Sequence, residues 1–126
     1  MPQSHLEIYI HFVWATKYRD SFLNINKRRY IFGQIKKIAQ EKGYHVLIIN
    51  GVEDHVHCLI RLRHSQRISK IANDLKGISS RWINKNKFLP FFFEWQNGYG
   101  AFSVCPQHVN GIIQYIKNQQ HHHKND

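Results

Sequence analysis

The chain has 126 residues, 42% of them hydrophobic, which is enough for one domain with a real core and too few for two. Eighteen Lys and Arg against eight Asp and Glu give a formal charge of +10, an excess that suits a polyanionic partner, nucleic acid first. No apolar run approaches the roughly 20 residues of a membrane span, residues 1–5 lack a signal-peptide pattern, and Cys58 and Cys105 are too few for a disulfide scaffold. The expected setting is therefore reduced and cytoplasmic.

Residues 6–15, LEIYIHFVWA, alternate with period two. Leu6, Ile8, Ile10, Phe12 and Trp14 make an apolar face, while His5, Glu7, Tyr9, His11 and Val13 make the other, so the stretch predicts a half-buried strand. A basic loop follows, in which Lys17 and Arg19 could hold phosphates or simply be solvated. Residues 26–42 carry an apolar stripe at helical spacing, with Asn24 or Asn26 as cap and Gly43 as terminator. Residues 44–51, YHVLIING, predict a second strand closing at an Asn50-Gly51 turn.

The strand returning over about 54–63 carries His55 and His57. Side chains alternate on a strand, so the two imidazoles share a face with Arg61 and Arg63, while Val56, Cys58 and Ile60 face a core. Two neighbouring imidazoles are half of a metal site, and a neutral core face would not carry two histidines and two arginines.

Residues 66–86 predict a second helix, capped by Ser65, with Ile71, Leu75 and Ile78 buried and Arg67, Lys70, Lys76, Arg81 and Lys85 outside. Residues 88–104 are dense in aromatics and glycine. Most of residues 91–93 suit a core, though exposed aromatics there could stack on bases. Ala101 to Val104 predicts the last strand, paired with an irregular stretch near 91–95. Pro106 opens a final helix over about 106–120, with Val109, Ile112, Ile113 and Ile116 buried. Tyr115 lies off that stripe, and Gln119 stands one turn above it.

The order β–α–β–β–α–β–α, with right-handed crossovers, predicts an α+β fold: a ferredoxin-like, RRM-like antiparallel sheet with two helices on one face and an extra C-terminal helix. The first and the histidine strands should be central, and the C-terminal helix is free to lie on their open face or to reach a partner.

These features together resemble the HUH endonucleases, and more closely the single-tyrosine transposases of the insertion sequence 200/605 group with their palindrome-associated relatives. The resembling stretches are HFVWATKYR (11–19), DHVH (54–57), WQNGYGAFSV (95–104) and YIKNQ (115–119). The resemblance implies a transposase that cleaves and rejoins single-stranded DNA at imperfect hairpins through a 5′-phosphotyrosine. It implies Tyr115 as nucleophile, and His55, His57 and Gln119 as ligands of Mg²⁺ or Mn²⁺. It also implies a homodimer in which the tyrosine helix of one subunit can complete the site of the other, in a bacterial or archaeal cell and close to its nucleoid. Asp54 either orients a ligand or closes the turn, and His122 could compete with Gln119 for the metal. Lys17, Arg19, Arg61, Arg63, Lys76 and Arg81 are the candidate DNA contacts. The alternatives are a non-catalytic RRM-like nucleic-acid-binding module, which would carry aromatics on the central open face, and a His-x-His zinc hydrolase, which would need nearby Asp or Cys ligands.

Overall fold

The computed structural model describes residues 5–119. The elements run β1 (Ile8–Ala15), α1 (Ile25–Glu41), β2 (His45–Gly51), β3 (His55–Leu62), α2 (Ile68–Lys85), β4 (Gly100–Val104) and α3 (Val109–Lys117). A single-turn 3-10 segment, Pro106–His108, leads into α3, so the proline opens a tight turn rather than the α-helix itself. The four strands form one antiparallel sheet in the order β2-β3-β1-β4. The predicted ferredoxin-like topology is thus present, with β1 and β3 central.

The parity of the strands decides what each face meets. Ile10, Phe12 and Trp14 of β1 and Val56, Cys58 and Ile60 of β3 are buried in one core with Ile31, Ile35 and Ile38 of α1 and Ile71, Ala72 and Leu75 of α2. Burial there pushes the Cys58 thiol up to about 12, so it packs as a small apolar group. Asn24 caps α1 through its side-chain oxygen, which accepts from the Lys27 amide at 3.0 Å. On the opposite face α3 seats a smaller cluster, in which Val109 and Ile116 bury Leu59 of β3.

Three further local expectations need correcting. Ser65 does not cap α2: its own φ is 67°, and Arg67 holds the cap position without a side-chain bond. Asn50 and Gly51 belong to β2, and the chain reverses after them, with the Val52 amide donating to the His55 carbonyl at 3.1 Å. A Cβ on Gly51 would sit 2.2 Å from that same carbonyl, so close backbone approach rather than turn chemistry demands glycine. Finally, β4 pairs with β1, not with the 91–95 stretch; from that stretch Trp95 instead bridges Thr16.

Candidate active site

The β1–β3 register sets Val13 opposite His57 and Ala15 opposite His55. His11, two residues back along β1, therefore lies diagonally across from His57 on the same face. Its Nε2 is 2.9 Å from His57 Nδ1, so one ring donates and the other accepts. His57 is only 7% exposed. Burial, with the neighbouring His11 and His55 adding to it, pushes its pKa down to about 3, and burial lowers His11 as well. Both rings are neutral near pH 7.

His55 is held from its other side. Its Nδ1 lies 2.7 Å from Asp54 Oδ1, and Arg19 reaches the second carboxylate oxygen through Nε at 3.4 Å. Burial works to raise the Asp54 carboxyl, but the His55 hydrogen bond and charge, with Arg19 beyond, outweigh it and leave the pKa below the usual carboxylate value. Arg19 comes from the loop after β1, where Tyr18 and Arg19 both adopt left-handed backbone with φ of 59° and 56°. Protein groups thus occupy Nδ1 of both His55 and His57, which leaves Nε2 as the nitrogen each can offer a ligand.

Tyr115 approaches from α3 of the same chain. Besides the Leu59 cluster, Asn50 fixes this helix: its Nδ2 donates to the carbonyls of Ile116 and Lys117, each at 3.1 Å. The Tyr115 ring stands edge-on to His57 and His11, with centroids 5.9 and 6.5 Å away, and is 43% exposed. A cavity of about 450 Å³ opens here, lined by Arg19, His55, His57, Asn97, Phe102 and Tyr115 among others.

The other predicted residues are placed as follows. Gln119 is buried one turn past Tyr115, its Nε2 donating to the Tyr115 carbonyl at 3.3 Å; it does not line the cavity. His122 lies outside the described residues. Lys17 is ion-paired with Glu94 at 2.6 Å, which raises its pKa. Arg61 donates to the Leu6 carbonyl at 2.6 Å and lies over the Tyr9 ring. Arg63 lines a separate small cavity with His5 and His64. The Lys76 ammonium turns onto the carbonyls of Gln96 and Gly98, at 2.9 and 2.6 Å. Arg81 is exposed on α2.

Among the described residues no group of three or more His, Cys, Asp or Glu side chains could hold a metal ion. The residues present fit a divalent ion in part. Two imidazoles, those of His55 and His57, face one cavity with ring centroids 5.0 Å apart, and oxygen donors must complete the set. The hydrolase alternative needed Asp or Cys beside the histidines. Asp54 is there but is spent on His55 and Arg19, and Cys58 points into the core. Two contributors escaped the sequence reading. His11 carried the right parity, but only the strand register reveals its partner. Asn97 sits in a glycine-bounded loop that no periodicity marks.

A family model described as "Transposase IS200 like" matches residues 4–119. The chain belongs to the IS200-like transposase family. This transposase is 29% identical over 115 residues to the transposase for insertion sequence element IS200 of Salmonella typhimurium, covering 86% of this chain and 74% of that protein. It is 31% identical over 71 residues to the ISDra2 transposase TnpA of Deinococcus radiodurans, covering 56% and 51% of the two chains. Among solved structures, a putative transposase from Deinococcus radiodurans superimposes with a TM-score of 0.72 at 25% identity, covering 94% of this chain and 96% of that one. A REP-associated tyrosine transposase bound to a REP hairpin shares the fold, with a TM-score of 0.69 at 15% identity, covering 98% and 74%. No helix among the described residues is long and apolar enough to cross a membrane.

Proposed function

We propose that this transposase moves an insertion sequence by cutting and rejoining single-stranded DNA, with Tyr115 as nucleophile. The observation that carries the reading is the shared cavity, where a half-exposed tyrosine on α3 meets the buried, neutral His57 and the half-buried His55 of β3. The Tyr115 hydroxyl gives up its proton as its oxygen attacks the scissile phosphorus. The bond from phosphorus to the 3′-oxygen breaks, leaving a 5′-phosphotyrosine and, once the oxygen takes up a proton, a free 3′-OH. Attack of a 3′-OH on the same link reverses the step and joins a new strand without water as nucleophile or a nucleotide cofactor.

A phenol is a weak nucleophile at neutral pH, so the site must favour attack by orientation and charge. A divalent ion, Mg²⁺ or Mn²⁺, held by His55 and His57, by Gln119 once its side chain turns from the Tyr115 carbonyl into the cavity, and by phosphate and water oxygens, would draw charge from the scissile phosphate and orient it. The chain's own residues prepare for this. His11 and Asp54 fix the two rings through Nδ1, and Asn50 fixes the helix that carries the phenol. Because the donor set is mostly imidazole, weak binding and tolerance of Mn²⁺ are expected.

The substrate reading extends to imperfect hairpins at the element's ends, and the relative of the same fold described as bound to a REP hairpin supports it. It extends also to a homodimer in which α3 exchanges between subunits, although here the helix seats on its own sheet. A non-catalytic RRM-like module is disfavoured, because the central open face carries His11, His57 and a helix-covered Leu59 rather than a row of aromatics.

The test is covalent capture. Single-stranded DNA bearing the element end, incubated with the protein and Mn²⁺, should yield a denaturation-resistant adduct, and Tyr115→Phe should abolish it while leaving the melting temperature within a degree or two. An undiminished adduct with Tyr115→Phe would defeat the nucleophile assignment.

A further inference from the structure

A second cavity, about 890 Å³, lies between α2 and residues 92–97, away from the histidines. Three polar tethers fix the ribbon that forms its outer wall. Asn84 bonds both the amide and the carbonyl of Phe93, at 2.7 and 2.9 Å. Trp95 Nε1 donates to Ser79 Oγ at 2.9 Å, and Lys76 clamps the carbonyls of Gln96 and Gly98. The ribbon thus runs antiparallel to α2, from Asn84 back to Lys76, and its far side is bonded to β1 through the Gln96 amide and the Ala15 carbonyl at 2.8 Å. This is a preformed groove.

Its chemistry is basic and aromatic. Lys76, Arg81 and Lys85 are its cations, and its lone carboxylate, Glu94, is neutralised by Lys17. Phe92 is 74% exposed on the lip, opposite a partly buried Trp82. Mid-helix Gly77 has no side chain on the floor, where a Cβ would touch the Arg81 guanidinium at 3.4 Å. A glycine in a helix interior costs about 1 kcal/mol relative to alanine, so its place under the guanidinium suits a groove kept open. Asn97 lines both this groove and the cavity of Tyr115, so the two flank the same Lys76-clamped turn.

We infer that this groove is a second single-stranded DNA subsite, which takes unpaired nucleotides flanking the scissile phosphate, with Phe92 stacking on a base and Arg81 and Lys85 on the backbone. The inference rests on the DNA-cleaving reading above and deepens it. An exposed aromatic beside paired cations is the chemistry that holds unpaired nucleotides without reading their sequence.

The test is anisotropy titration of a labelled single-stranded oligonucleotide carrying an element end with about ten flanking nucleotides, repeated over a range of salt. The full-length variants are Arg81→Glu/Lys85→Glu, Phe92→Ala, and a charge-matched control on α1, Lys36→Glu/Lys37→Glu, whose residues are exposed and do not line the groove. The groove pair should weaken binding at least tenfold more than the control and lower the salt slope by about 1.4, the value for two lost phosphate contacts on a single strand. Phe92→Ala should weaken binding about tenfold with the salt slope unchanged. Equal losses from the groove and control pairs, with Phe92→Ala neutral, would overturn the subsite while leaving the cleavage reading intact. Wild-type protein that binds no DNA would instead defeat the reading on which it rests. Photocrosslinking of iodouracil placed in the flank of the wild-type complex gives a variant-free check: adducts within residues 82–97 support the groove, and adducts only elsewhere refute it.

Discussion

The two faces of the sheet are built to different ends. The face under α1 and α2 is a continuous dry core in which Phe12, Val56, Ile35 and Leu75 are fully buried. The other face is divided. One half is a small apolar seat, Leu59 under Val109 and Ile116, and the other half is an open cavity onto which His55 and His57 face. The larger core lies where nothing reacts, so the reacting face can carry neutral buried imidazoles and a helix seated on a small apolar cluster. A small apolar seat costs less to leave than a large core, which is what a nucleophile-bearing element shared between subunits would require.

The comparison can be broken most sharply by truncation. Leu75→Ala on the closed face should lower global stability by about 2–5 kcal/mol, read as an earlier denaturant midpoint. Leu59→Ala should instead act locally, speeding amide exchange in α3 well before it moves the global midpoint. Equal global losses from both would mean that the faces are one cooperative core.

Acid should find the open face first. His57 has a folded-state pKa near 3 against an ordinary 6.5, so its contribution is fully present above about pH 6.5 and is lost as pH falls towards 3. At pH 5 the expected loss is about 2 kcal/mol. Thermal melts of metal-free protein between pH 7 and 5 should show it, and His57→Asn should flatten the profile. A flat wild-type profile would contradict a buried neutral ring.

The smallest effect sharpens the picture of the seat. Asn50→Ala removes two side-chain bonds to the end of α3 and should cost about 1 kcal/mol. It should appear as faster exchange confined to the end of α3, with α1 and α2 unchanged. Exchange that rises throughout the protein would mean that Asn50 matters to the sheet rather than to the helix.

Much of this was legible from side-chain parity. The alternation in residues 6–15 and 54–63 assigned Ile10, Phe12, Val56, Cys58 and Ile60 to the core and the histidines to the other face, as found. Parity does not carry register, so the bond from His11 to His57, which depends on Val13 standing opposite His57, was out of reach. Nor does parity carry what covers a face. Leu59 shares the side of His57, and only the docking of α3 explains an apolar residue there. Asn50-Gly51 misled because the pair has strong turn propensity, whereas the fold uses the asparagine to hold α3 and the glycine to admit a carbonyl. The 88–104 segment was the least readable, since its shape depends on tethers from α2 rather than on any local repeat.

Tyr18 and Arg19 hold left-handed backbone without being glycine, a conformation that costs each of them on the order of 1 kcal/mol. The second of them is the arginine that reaches Asp54. Selection for heat resistance and selection for mobility should therefore pull these positions apart. A diversified library screened only for survival at high temperature should drift towards glycine at both, whereas one screened for moving DNA should tolerate glycine at 18 and refuse it at 19. Position 19 is where evolvability for robustness and the inheritance of a working site come into conflict.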